Sequence, residues 1–254
     1  MLRPVVLVSL LGKLIAVVLW SFASCPRIAA AFFFGPDTFL LYHHFVPSAQ
    51  GLCRVFTRFT TDRAEIWLTI DDGPDPSDTP RILDLLDRHR ARATFFLIGE
   101  RAARWPELVA EILRRGHEVA HHTHTHPLAT FWCASPARIG SELDDALAAL
   151  RNAGASPRRF RPPVGIKNIF LADALKARGL QCVGWSVRSG DCRSRRAETV
   201  VTTVVRRLVP GAIILVHEGP SVPPAVRVKA IKLLLEALAA RKFTCVVPDA
   251  ARLR

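Results

Sequence analysis

Residues 66–74 read Ile-Trp-Leu-Thr-Ile-Asp-Asp-Gly-Pro. Apolar, aromatic and β-branched residues stopped by Gly and Pro predict a buried strand running into a tight turn. Two adjacent carboxylates at the end of such a strand repel each other and lose hydration, so the pair needs a cation or a shared proton. Taken alone, Asp71-Asp72-Gly73-Pro74 also reads as an ordinary solvated turn. The rest of the chain decides between the two.

From residue 65 onward, short apolar runs alternate with amphipathic segments. Strands are predicted at 66–70, 93–98, 118–120, 159–161, 181–185, 212–216 and 243–247, and helices near 79–90, 106–115, 136–153, 168–178, 197–208 and 224–240. The third helix opens with Ser135-Pro136, an N-cap and a first-turn proline, and closes before Gly154. In the last, Val228, Ile231, Leu234 and Leu235 recur at the spacing of one buried face. Alternating β and α units imply a parallel sheet. Seven strands, one short of the usual eight, predict a distorted, seven-stranded (β/α) barrel, whose chemistry gathers at the C-terminal strand ends. The polar outliers stand there: Asp71 and Asp72 after the first strand, histidines after the third, Arg161 after the fourth, Ser186 to Asp191 after the fifth, His217-Glu218 after the sixth. That coincidence predicts an enzyme.

The chain has 254 residues, is 50% hydrophobic and carries a net charge of +13, so anionic partners suit it. Its 35 Lys and Arg residues are dispersed, with no aromatic-interleaved basic tract, which argues against nucleic acid and for a solvated surface near a membrane. Six cysteines without a C-x-x-C pair specify neither a zinc knuckle nor a disulfide framework. Residues 5–20 are apolar except for Lys13, and a second apolar stretch, 28–46, is broken by Gly35-Pro36-Asp37. A spanning helix needs roughly 20 apolar residues. Three readings compete: a signal peptide with Phe22-Ala23-Ser24-Cys25 as a poor lipoprotein-type cleavage site, a single anchor, or two segments in a hairpin. Lys13 within the run favours a retained anchor. One span would put the catalytic domain outside the cytoplasm and two would return it to the side of the N-terminus; arginines flank both segments and do not decide. The expected organisation is a membrane-anchor region over 1–46, a linker over 47–64 and a catalytic domain over 65–254.

Residues 121–126 read His-His-Thr-His-Thr-His. In a helical turn His122 and His126 share a face, and in a strand His122, His124 and His126 do. Residues 122 and 126 stay together either way, which leaves His124 the doubtful ligand. Two imidazoles and a carboxylate, from Asp71 or Asp72, with an open position for water, make a hydrolytic divalent-metal site. A His-rich surface loop is the competing reading.

Thr69-Ile70-Asp71-Asp72-Gly73-Pro74, His122-Thr123-x-x-His126-Pro127, Arg161-Pro162-Pro163 and Ile214-Leu215-Val216-His217, in this order, resemble successive motifs of the polysaccharide deacetylases (the NodB-homology family, carbohydrate esterase family 4). The resemblance covers roughly residues 65–250. It implies a distorted (β/α) barrel and assigns roles. Asp72, His122 and His126 correspond to the ligands of a divalent metal, most often Zn2+, with Co2+ or Mn2+ as alternatives. Asp71 corresponds to the general base for the attacking water, and His217 to the general acid for the departing amine. Arg161 corresponds to the residue that orients the base, with Asp191 as its expected partner. Leu215 corresponds to the wall against the acyl methyl, and the backbone N–H of Val164 to the oxyanion donor. Trp185 is expected beside the substrate. Val164 stands where the family commonly has Tyr, and the family's Asp-Trp pair after Trp185 reads Asp191-Cys192 here, removing an apolar surface near the acyl pocket. The usual Asp after the acid His is Glu218. Thr130-Phe131-Trp132-Cys133 could offer aromatic surface instead.

The expected activity is metal-dependent removal of an N-acyl group, acetyl first, from an amino sugar of a cell-envelope polysaccharide or lipid-linked glycan. A deformylase of a lipid-linked amino sugar and a catalytically silent carbohydrate-binding or membrane scaffold are the alternatives. The expected location is a bacterial inner (cytoplasmic) membrane, with no nucleic-acid or protein partner.

Overall fold

Trp67, Leu68 and Ile70 are wholly buried at the middle of a nine-stranded sheet. The computed structural model describes residues 4–22 and 25–254; Ala23 and Ser24 of the expected cleavage site lie outside them.

The strands are β1 (Val55–Phe56), β2 (Glu65–Gly73), β3 (Ala93–Leu97), β4 (Glu118–His121), β5 (Arg159–Phe160), β6 (Gln181–Val183), β7 (Val187–Arg188), β8 (Ile213–His217) and β9 (Thr244–Cys245). The sheet runs β1-β6-β5-β4-β3-β2-β8-β7, with β9 on β2, and every ladder is parallel. All seven predicted strands form. The two additions, β1 and β7, are two residues each, too short to leave a pattern in sequence. No ladder joins β7 to β1, so the sheet is a curled, open half-barrel rather than a closed one. Antiparallel bridges from Arg58 to Ala212 and Phe59 to Leu253 brace its gap.

The helices are α1 (Pro4–Phe22), α2 (Pro26–Phe45), α3 (Thr79–Arg88), α4 (Gly99–Arg104), α5 (Pro106–Arg114), α6 (Pro136–Asn152), α7 (Leu171–Ala177), α8 (Ala197–Val205) and α9 (Arg227–Ala240). The predicted Ser135 cap holds: its hydroxyl accepts from the Arg138 N–H at 3.2 Å.

Strand alternation sorts the core into two layers. Ile66, Leu68 and Ile70 of β2, Phe95 and Leu97 of β3, and Ile214 and Val216 of β8 face the helices outside the sheet. Trp67, Phe96 and Ile213 face inward and meet Ala120 and Val183. The inward column of β2 continues through Thr69 to Asp71, and that of β8 through Leu215 to His217, so the interior grows polar towards the C-terminal strand ends.

α1 and α2 form an antiparallel pair. Lys13 Nζ lies 2.5 Å from Asp37 Oδ1, and the Ser9 hydroxyl donates to the same oxygen at 2.5 Å. The polar residues that interrupt the two apolar stretches therefore satisfy each other between the helices. α1 has a mean hydropathy of 2.3 over its most apolar window and is long enough to cross a membrane. The base of α2 locks onto the barrel. His44 Nδ1 lies 2.8 Å from the Lys167 carbonyl, and buried Lys167 donates through Nζ to the carbonyls of Val46 (2.6 Å) and Pro47 (3.2 Å).

Candidate metal and catalytic centre

In a regular strand Asp71 and Asp72 would point to opposite faces. The β2–β3 register slips between Asp71 and Gly73, and Asp72 takes a left-handed backbone, φ 72°. This bulge turns both carboxylates into the mouth, a use of bulges common beside functional sites. Two neighbours hold it. The Arg101 guanidinium, from α4, donates to the Asp72 carbonyl at 2.5 Å, and Gly73 leaves room for Glu218, whose Oε1 would lie 1.8 Å from a Cβ at that position.

Asp72 Oδ1 is 3.4 Å from His122 Nε2 and 3.4 Å from His126 Nε2. The histidines sit on neither a helix nor a strand. β4 ends at His121, and the loop that follows folds back through left-handed Thr123 (φ 62°) and His126 (φ 56°). His122 Nδ1 lies 2.8 Å from the Arg161 carbonyl; donating there leaves the Nε2 lone pair facing Asp72. Burial lowers the His126 pKa to about 4, so its ring is neutral. Burial alone would raise the Asp72 carboxyl, but its imidazole surroundings, the protonated His217 among them, hold it well below the usual range. His124 stands outside this group: its Nδ1 has no partner and sits over Gly99.

Glu142, on α6, holds the histidine loop. Its Oε2 accepts from the His124 and Thr125 N–H groups at 2.9 Å each, and its Oε1 from the Thr125 hydroxyl at 2.6 Å. Sequence reading passed over it, although an acid in phase with the buried Ile139, Leu143 and Ala146 is a signal that it has internal partners.

Arg161 is wholly buried and spends its fork locally. Nη1 donates to Asp71 Oδ1 (2.6 Å) and to the Thr69 hydroxyl (2.9 Å), and Nη2 to the Gly184 carbonyl (2.7 Å). The expected Arg161–Asp191 pair does not form. Asp191 follows β7 and lies over the end of β8, where its Oδ1 meets His217 Nδ1 at 2.9 Å and its Oδ2 accepts from the His217 N–H at 2.6 Å. Burial opposes the His217 charge, yet bonding to Asp191 and Cys192 and the carboxylates of Asp191 and Asp71 raise its pKa well above the usual imidazole value. Asp191, also penalised by burial, is lowered by the same bond.

Leu215 shares the inward face of β8 with His217, two residues away. Val164 is left-handed (φ 47°) and exposed at the rim. Trp185 is partly buried beneath the Arg161 guanidinium, 5.6 Å from ring centre to Cζ. Of the tract near 130–133, Phe131 is core, while Trp132 packs on Phe45 at the base of α2, ring centres 5.7 Å apart. Arg188, Gly190, Asp191, Cys192, Arg193 and His217 line a cavity of about 180 Å³.

The sequence profile of polysaccharide deacetylases matches residues 59–183. A chitooligosaccharide deacetylase from Bradyrhizobium sp. (strain ANU 289) is 40% identical over 193 residues, 70% of this chain and 86% of that protein. A peptidoglycan-N-acetylglucosamine deacetylase from Bacillus cereus is 38% identical over 156 residues, 61% of this chain and 72% of the relative. Among solved structures, a family 4 carbohydrate esterase from Streptomyces lividans in complex with acetate superposes with a TM-score of 0.66 at 33% identity, covering 75% of this chain and 96% of that one. With the curled parallel half-barrel and these relatives in agreement, the chain belongs to the polysaccharide deacetylase family, carbohydrate esterase family 4.

Proposed function

We propose that this chain is a divalent-metal-dependent N-deacetylase of an amino sugar in the cell envelope, held at the membrane by α1 and α2. One observation carries the reading: the Asp72 bulge brings two carboxylates into the same mouth, one against His122 and His126 and the other against Arg161.

Asp72, His122 and His126 would hold the cation. Their 3.4 Å separations match the edge expected from tetrahedral bonds of about 2.0–2.1 Å, and both imidazoles present Nε2. Bound there, a divalent ion such as Zn2+ supplies Lewis acidity towards the amide carbonyl and towards water. Asp71, with Oδ2 only 3.8 Å from His122 Nε2, takes the proton of the attacking water, and Arg161 fixes its orientation. The Val164 N–H faces the developing oxyanion, and Leu215 meets the acyl methyl. Protonated His217, braced by Asp191, gives its proton to the departing nitrogen. Water adds to the carbonyl carbon, the C–N bond breaks, and a free amine and a carboxylate leave.

Retention of the anchor is supported by the Lys13–Asp37 pair, which cleavage near residue 25 would break. Asp71→Asn should abolish deacetylation of N-acetylated oligosaccharides while the purified protein still binds zinc. Full activity in that variant would overturn the assignment.

A further inference from the structure

Outside the helical pair, the described residues expose five large apolar side chains: Leu128 (49%), Trp132 (37%), Val164 (45%), Phe170 (39%) and Val209 (39%). Their placement is uneven. Leu128 and Trp132 follow β4, and Val164 and Phe170 follow β5, so four of the five ring the mouth of the site; only Val209 lies at the opposite, N-terminal strand edge ahead of β8. The apolar rim is continuous with the helical pair, because Trp132 packs at a tilt against Phe45, itself 43% exposed, at the base of α2.

That base is where both helices meet the barrel. Val5, at the start of α1, and His43, near the end of α2, crowd the same Gly51. The 20 residues of α2 span about 30 Å, the thickness of a hydrocarbon core. With the pair in a bilayer, its base and the adjoining rim stand at head-group level. The same mouth is cationic: Arg188 and Arg193 are exposed beside His217, and neither guanidinium forms an ion pair among the described residues.

We propose that the catalytic mouth is a membrane-docking face, seated on an anionic phospholipid surface, and that its substrate is an amino sugar carried by an anionic membrane lipid, whose phosphate meets Arg188 and Arg193. The inference rests on α1 and α2 being a retained anchor. An aromatic ring can stack on a soluble glycan, but aliphatic Leu128 and Val164 offer no such flat face, whereas aromatic and aliphatic groups beside cations suit a head-group interface.

The test uses the full chain in vesicles of phosphatidylcholine and phosphatidylglycerol, with and without bromine on the acyl chains. Trp20 reports the anchor and Trp132 the mouth. In Trp20→Phe protein, brominated lipid should lower fluorescence relative to plain lipid, and Trp20→Phe/Trp132→Phe should show no such difference. Quenching of Trp20 in a Trp132→Phe protein with none of Trp132 would overturn docking and leave the anchor standing. No quenching of Trp20 would overturn both. For substrate class, turnover of N-acetylglucosamine on polyprenyl phosphate in these vesicles is compared with that of soluble chitotetraose. Leu128→Asp/Phe170→Asp should cut the ratio of vesicle to soluble turnover by about tenfold. Arg188→Ala/Arg193→Ala should raise KM for the phosphate-linked sugar but not for the same sugar on an uncharged lipid. An unchanged ratio and an equal KM effect on both lipids would overturn the substrate class.

Discussion

His217 and Asp191 set the pH behaviour of the proposed reaction. The raised His217 pKa keeps the ring protonated, as a proton donor requires, and the Asp191 carboxylate is the principal group raising it. Removing that charge in Asp191→Asn lowers the His217 pKa, so the alkaline limb of the kcat/KM profile should move to lower pH. A limb at its original position would detach Asp191 from His217. Glu142 acts one layer further out. Glu142→Gln presents an amide N–H₂ to donors that need an acceptor, and the loosened histidine loop should bind zinc about 10–100-fold more weakly in chelator competition. At this scale the gathering of Asp71, Asp72, His122 and His126 at the strand ends was legible in the sequence, because residue chemistry and spacing carry it. The Asp191–His217 pairing was not. It depends on how residues 186–191 cross the end of β8, and no periodicity encodes that path.

At the level of elements, β2 shows what patterning reveals and what it hides. Trp67 and Thr69 turn to one side of the sheet and Leu68 and Ile70 to the other, as the pleat requires. The bulge at Asp72 leaves no comparable trace, because Asp enters left-handed backbone without the glycine that would announce it. α4 is six residues long, too short to show a period, yet it supplies Arg101 to the Asp72 carbonyl. Behind the bulge, Glu218 is wholly buried, with the Thr79 hydroxyl on one oxygen and nothing on the other. Burial, helped by Asp75 and Asp78, raises its pKa from 4.5 to about 8. The folded state therefore binds this proton more tightly than the unfolded chain, and the associated stability is full below about pH 4.5 and is lost as pH rises towards 8. Glu218→Gln cannot titrate, so its Tm relative to the parent should rise between pH 5 and pH 9. A constant difference across that range would remove Glu218 from the pH dependence.

Across the whole molecule, the helical pair and the barrel are joined by the Lys167 ammonium rather than by a flexible tether. Lys167→Met leaves the Val46 and Pro47 carbonyls without their donor. An unsatisfied buried group costs about 1–3 kcal/mol, and in a chain of this size each kcal/mol lowers Tm by about 2–4 °C. Calorimetry of the detergent-solubilised protein should show that fall. The clasp also fixes a height. A catalytic domain on a long leash samples glycans at many distances from the bilayer, whereas one bolted to its anchor works at a single level. Under the proposed membrane reading, such an enzyme would act as a ruler, reaching the amino sugar at one rung above the lipid and leaving the more distant units of a growing chain acylated.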